Sequence, residues 1–437
     1  MKFLRILDNS KITPILLGII LLLHLGAFTY RTIIGPAETA DSEGYFLCAK
    51  NAYEGNGFQY NIPGEPYQEE FVATRTPGYP AIILALGQSK VAVMGFQVLL
   101  SLTTIWLCIL FLKKFNFSPL TQNILLLGFL FTPAQVIYAT TLMSEIPFQF
   151  FLVNLFLSVI LFIKTNKIKW LVFSVLALSI GFLIKPILYP FTFIFLIAGT
   201  IYLIRKRKHV CLPLPFIPFL VVIALASWNY TRTGAFEVSS IQATNLLNYN
   251  GKMILYQADG HERGDFVIDS LETEAVKITD FSERQNFRSQ ETRKIFLNHP
   301  FIAAFQFVKG CGSFFLDPGR FDWITYLGLE NKSGFMFSTN DSKTGAILNI
   351  IRSTPLPIWV ILLIVFIFNI VKLFLFGVYI LKKSQTRYVK IILSTGILYI
   401  LAITGSLGVS RYALPIVPLL LIGTALGAAT LKNGENK

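Results

Sequence analysis

The stretch PIWVILLIVFIFNIVKLFLFGVYIL, Pro357–Leu381, carries one charged side chain, Lys372, in 25 residues. A helix rises 1.5 Å per residue, so this length covers the roughly 30 Å of hydrocarbon in a bilayer. A helix apolar on all faces has no side to offer to water, and the stretch reads as a membrane span. Nine further apolar runs are bracketed by charged clusters and turn formers: Thr13–Ile34, Val91–Leu112, Leu120–Ala139, Ile146–Ile163, Trp170–Ile184, Leu188–Ile204, Pro213–Trp228, Val389–Leu407 and Ala413–Leu431. Lys185-Pro186 separates two of them, and one broken hairpin is the alternative to two spans there. The first run follows Lys2 and Arg5 but reads as a retained span, because no small-x-small cleavage pattern comes after it.

Composition agrees with an all-α polytopic membrane protein of about ten transmembrane helices. Of 437 residues, 54% are hydrophobic and 14% charged, against roughly 25% charged in soluble domains. The formal charge of +14 would suggest nucleic acid in a soluble protein, but its distribution says otherwise. Alternating the loops puts on one side Lys2, Arg5, Lys11, Lys113, Lys114, Lys164, Lys167, Lys169, the run Arg205-Lys206-Arg207-Lys208, Lys382, Lys383, Arg387, Lys390, Lys432 and Lys437. That side holds 18 of the 38 Lys and Arg and two of the 24 acids, Asp8 and Glu435, a net +16 that leaves −2 elsewhere. The positive-inside rule makes it the cytoplasm, so the charge records orientation and gives no sign of a nucleic-acid partner.

Two segments on the opposite side are too long to be connectors, Gly35–Lys90 and Asn229–Thr354. They divide the chain into a transmembrane core at 1–228 that includes the first outer loop 35–90, an extracytoplasmic region with amphipathic helices at 229–354, and C-terminal spans at 355–437. The stretch Asp280–Gly310 has the pattern of one helix lying against the membrane. Cys48 and Cys311 fall in the two outer segments, so a disulfide is topologically available; free thiols are the alternative. No Walker loop, nucleophile elbow, dinucleotide fingerprint or zinc spacing is present.

Charged residues near span ends collect on the outer side. Asp41 and Glu43 follow the first span, Glu145 starts the fourth, Lys185 sits between the fifth and sixth, and Arg411 begins the last. Cations on that side run against the bias that sets the topology. Together these groups suit an anionic, partly lipidic ligand with a carboxylate available for proton chemistry. Each also has a plainer reading: solvation for Asp41 and Glu43, a helix cap for Glu145, and snorkelling for Lys185 and Arg411. Arg75-Thr76-Pro77-Gly78-Tyr79-Pro80 is a rigid entry that holds Arg75 and Tyr79 near the membrane surface, where a guanidinium suits phosphate; a simple turn is the alternative.

The ordered set Asp41-Ser42-Glu43-Gly44-Tyr45, Arg75-Thr76-Pro77-Gly78-Tyr79-Pro80, Ser144-Glu145-Ile146-Pro147, Ile184-Lys185-Pro186, Trp228-Asn229-Tyr230 and Ser410-Arg411-Tyr412-Ala413-Leu414-Pro415 resembles the GT-C superfamily of polytopic glycosyltransferases. It is most similar to the bacterial branch of protein O-mannosyltransferases and the lipid A aminoarabinose transferase. The resemblance implies transfer of a hexosyl or pentosyl group, with inversion, from a polyprenyl-phosphate or diphosphate donor to a lipid, glycan or protein acceptor. It implies Asp41 as the catalytic acid, Lys185, Arg411 and Arg75 on the donor phosphate, and Glu43, Tyr45, Tyr79 and Glu145 shaping the site. Asp41 and Glu43 form a candidate divalent-cation pair, although many relatives are thought to need no metal. The implied location is a bacterial inner membrane, with the active site on the extracytoplasmic face. Other classes compatible with a polytopic chain are a transporter or lipid flippase, with His24 and Lys372 as mid-span polar candidates, and an O-antigen polymerase or ligase.

Overall fold

A computed structural model describes residues 6–329, 354–382, 387–405 and 407–434. Lys2, Arg5, Lys383, Glu435 and Lys437 of the charge tally, and 330–353 of the second long segment, lie outside the described residues. In chain order the helices are α1 Ile12–Ile34, α2 Ala40–Tyr53, α3 Gly78–Ala85, α4 Lys90–Lys114, α5 Pro119–Leu130, α6 Ala134–Ala139, α7 Glu145–Thr165, α8 Ile168–Ile184, α9 Tyr189–Arg205 and α10 Phe216–Thr233. They continue with α11 Ile241–Asn245, α12 Lys252–Asp259, α13 His261–Lys277, α14 Phe281–Asn298, α15 Pro300–Leu316, α16 Arg320–Leu327, α17 Leu356–Leu381, α18 Arg387–Thr404, α19 Ser410–Ala413 and α20 Val417–Gly434. The fold is that of an all-α polytopic membrane protein, and among the described residues eight helices are long and apolar enough to cross a membrane.

Each of the ten apolar runs forms helix within its described residues, but two fall short of a full uninterrupted span. The run at 120–139 breaks into α5 and α6 around Thr132-Pro133, because proline lacks the amide hydrogen and disfavours helix in the residue before it. Helix α8 is 17 residues long and ends at Lys185, whose extended backbone (φ −137°, ψ 122°) is what a residue before proline adopts. The expected single helix at 280–310 is two: Pro300 takes the first turn of α15, where its missing donor costs nothing, and α14 stops at Asn298.

Helix α1 shows how the bundle meets lipid. Thr13, Leu16, Ile20, His24 and Arg31 form its buried stripe, while Ile15, Ile19, Leu22, Leu23 and Ile33 remain exposed, as expected where the solvent is hydrocarbon. Helix α7 packs on α4 and α8, and α20 packs on α5 and α17, so these two helices form the centre. The cationic loops do gather at one end. Lys164 Nζ donates to the Lys114 carbonyl at 2.7 Å, Lys208 Nζ to the Asn166 carbonyl at 2.9 Å, and Lys432 pairs with Asp8. Helices α12 to α14 build a small separate core from Ile254, Leu255, Ile268 and Ile295, together with Leu247. Cys48 and Cys311 are both free thiols.

Candidate active site

At the end of the bundle opposite those loops, the charged residues singled out above meet. The backbone first brings Asp41 beside the start of α7. Ala37 and Thr141 pair as a short parallel bridge, and the Leu142 amide donates to the Ala37 carbonyl at 2.9 Å. Thr39 and Ser42 cap α2 reciprocally, and Ser42 Oγ also donates to the Leu142 carbonyl at 2.8 Å. Asp41, in the first turn of α2, is thereby held near Glu145, the first residue of α7.

Three cations then converge on these two carboxylates. Arg411 donates from Nη2 to Asp41 Oδ2 at 2.7 Å and from Nε to Glu145 Oε1 at 2.6 Å. Lys185 Nζ reaches the same Glu145 oxygen at 2.8 Å, its side chain thrown inward by the pre-proline break. Arg75 pairs with the other Asp41 oxygen, donates from Nε to Tyr60 Oη at 3.1 Å, and lies 5.3 Å from the Tyr45 ring centroid. Two carboxylates against three cations leave a formal charge of +1, which suits an anionic ligand.

Exposure separates the roles open to the two acids. The Asp41 side chain is 24% exposed, while Glu145 is fully buried as the counter-ion of Arg411 and Lys185. Burial pushes the Asp41 pKa up, but Arg75 and Arg411 outweigh it and hold the carboxyl below its usual range. Glu145 makes no side-chain cap on α7, so its ion pairs account for it in place of the capping alternative.

Two glycines in the motifs sit at close approaches. A Cβ on Gly78 would stand 2.5 Å from the Leu183 carbonyl, so only glycine lets α3 dock against the end of α8 next to Lys185. A Cβ on Gly44 would stand 2.4 Å from the Tyr60 ring, which holds Arg75. Tyr45 and Tyr79 are buried, with ring centroids 4.8 Å apart in an edge-to-face pair, and form the floor of the site. Tyr79 Oη donates to Gln97 Oε1 at 2.6 Å.

Glu43 does not join the cluster. It is exposed and, two residues from Asp41 on one helix, projects from another side. Both Asp41 oxygens are engaged by arginines, and among the described residues no group of three or more His, Cys, Asp and Glu is placed to hold a metal. The residues present do not fit the candidate Asp41–Glu43 cation pair.

Several contributors carry no sequence signal. Tyr60 is an ordinary loop tyrosine until it meets Arg75. Asp322 on α16 accepts from Tyr138 Oη and from Ser410 Oγ, both at 2.8 Å, and Asp317 Oδ2 accepts from the Ser410 amide at 2.8 Å. These acids anchor the residue before Arg411. Burial raises the Asp322 pKa to about 7, against the opposing hydrogen bonds from Tyr138 and Ser410. The mid-span groups have local partners: His24 Nε2 lies 2.9 Å from Ser101 Oγ, and Lys372 Nζ donates to Asn369 Oδ1 at 2.8 Å.

Fold and site define a polytopic membrane protein with a charged centre at one end of its helical bundle. Residues 79–230, about a third of the chain, match the family described as dolichyl-phosphate-mannose-protein mannosyltransferase, which lies within the GT-C superfamily. With the polytopic fold, that match supports a mannosyltransferase-like membrane glycosyltransferase of the GT-C type. It takes in Tyr79, Glu145 and Lys185, and leaves Asp41, Arg75 and Arg411 outside. No curated protein and no solved structure matches the chain.

Proposed function

We propose that the protein transfers a sugar from a polyprenyl-phosphate or diphosphate donor to an acceptor hydroxyl on the extracytoplasmic side of a bacterial inner membrane, with inversion. The observation that carries the reading is the excess cation in the cluster of Asp41, Glu145, Arg75, Lys185 and Arg411. Residues 1–228 and 355–437 form the membrane core in this reading, and 229–354 the extracytoplasmic region.

The donor's phosphate enters among Arg411, Lys185 and Arg75. The phosphate draws on the arginines that hold Asp41, and the carboxylate regains basicity as that grip relaxes. The acceptor oxygen attacks the anomeric carbon while Asp41 takes its proton. The bond from that carbon to the phosphate oxygen breaks, and the extra negative charge on the departing lipid phosphate falls on cations already in place. Glu145, too deep to meet substrate, keeps Arg411 and Lys185 oriented throughout.

The test uses purified protein in lipid nanodiscs with a radiolabelled polyprenyl-phosphate sugar, paired with mass analysis of envelope glycans and lipid-linked sugars in cells with and without the gene. Label leaving the lipid in wild-type protein but not in Asp41→Asn supports the reading. Full turnover by Asp41→Asn would overturn it.

A further inference from the structure

A cavity with four charged residues in its lining has no part in the chemistry above. It measures about 630 Å³ and is walled by the 67–74 stretch on one side and by Ser240, Thr244 and α14 on the other, within the range of small-ligand sites. Its walls are pinned together. Ser240 Oγ donates to the Glu70 carbonyl at 2.9 Å, the Ser240 amide to the Ala73 carbonyl at 3.0 Å, and Ser239 Oγ to the Thr74 carbonyl at 2.8 Å. Arg284 pairs with Glu70 and stands 3.6 Å from Glu69. Arg288, 5% exposed, forms the deep wall, with Nε and Nη2 on Glu272 Oε2 at 3.0 and 2.9 Å. Its Nη1 makes no hydrogen bond, Glu70 lying 3.8 Å away.

We propose that this cavity is the acceptor subsite, and that its occupant is a neutral, polyhydroxylated glycan. Three observations carry the assignment, which rests on the transferase reading of Asp41. The first is position: Thr74 lines the cavity, and its chain neighbour Arg75 pairs through its side chain with Asp41, so the cavity wall and the proposed base are linked through adjacent residues. The second is charge: Glu69 and Glu70 face Arg284 and Arg288 in the lining, and Glu272 behind Arg288 adds a third acid, which disfavours a phosphorylated ligand and, with four charged groups in the lining, an acyl chain. The third is the mixture of surfaces. Tyr67, 60% exposed, and Phe71, 37% exposed, offer ring faces to the C–H surface of a sugar, while the carboxylates accept from hydroxyls and the guanidinium groups donate to ring and carbonyl oxygens.

The experiment is saturation-transfer NMR on the full chain in nanodiscs, using methyl glycosides and disaccharides of neutral hexoses and N-acetylhexosamines as probes. At least one probe is expected to bind wild-type protein, to bind about tenfold more weakly to Tyr67→Ala and to Glu69→Gln, and to bind undiminished to Asp41→Asn. Thermal unfolding checks that the variants fold, and Glu69→Gln preserves shape where Tyr67→Ala disturbs it. Binding by Asp41→Asn supports the subsite even where the transfer assay goes against the base. No probe binding, or binding unchanged in both cavity variants, overturns the proposal. So does a Ser/Thr-rich peptide whose binding, and not that of the glycosides, is lost in those variants.

Discussion

Arg411 Nη2 lies 2.7 Å from Asp41 Oδ2, a contact that joins residues 370 positions apart in the chain. The same guanidinium holds the fully buried Glu145 through Nε at 2.6 Å. One side chain therefore ties a partly exposed carboxylate to a buried one.

Arg411→Ala should damage fold and turnover together. It leaves buried Glu145 with Lys185 as its remaining cation, and breaking such a buried pair costs about 3–5 kcal/mol. Thermal unfolding should shift downward, and donor turnover should fall by roughly a hundredfold or more. A variant with unchanged donor kinetics would remove Arg411 from the site.

Asp41→Asn should behave differently. The carboxylate is partly exposed, and its loss leaves Arg411 on Glu145 and Arg75 on Tyr60, so the protein should insert and fold with a modestly lower melting temperature, while transfer drops by about 10²–10⁴, the usual contribution of a positioned general base. Donor binding measured separately should persist.

Lys185→Ala and Lys185→Arg form an informative pair. Both keep Arg411 on Glu145, but only the second keeps a charge near the proposed phosphate. The donor KM should rise about tenfold in the alanine variant and recover in the arginine variant. Equal saturation curves for all three proteins would count against the phosphate role.

Gly78→Ala tests the docking of α3. The added methyl would collide with the Leu183 backbone, so α3 must shift, at a cost of about 1–3 kcal/mol. Because Arg75 lies just before this helix, turnover should fall along with the melting temperature. Wild-type values for both would mean that the contact is slack.

Asp322 predicts a pH dependence with a definite sign. Its folded pKa is raised to about 7, above the roughly 3.9 of an unfolded aspartate. The stability from neutral Asp322 is full below about pH 4 and is lost as pH rises through 7. Asp41, held low, acts in the opposite sense and loses its contribution as pH falls below about 4. Thermal unfolding of Asp322→Asn should show a flatter decline between pH 4 and 8, and the wild-type slope in that variant would assign the titration to another group.

The spans were legible in the sequence because hydrocarbon imposes a simple demand: long apolar stretches whose backbone polar groups are satisfied within the helix. Charges at span ends were legible for the same reason, since a cation on the side without the positive bias needs an explanation. Asp41, Glu145, Lys185 and Arg411 were found that way and Arg75 through the rigid Arg75–Pro80 entry, and the structure joins them in one cluster. Glu43 was grouped with Asp41 by adjacency in the chain, whereas on a helix residues two apart face different sides. The break at His299-Pro300 was missed because apolar spacing continues across it.

By itself, then, the sequence determined the polytopic class, the alternation of its loops and the candidate charges, all properties set by local composition against a membrane. The tertiary structure alone decided which charges pair, that Glu145 is sealed while Asp41 stays open, and that Asp317, Asp322 and Tyr60 take part. Those outcomes depend on contacts between residues up to hundreds of positions apart, fixed by helix packing and by close approaches such as Gly78 on Leu183, which no single stretch of chain encodes.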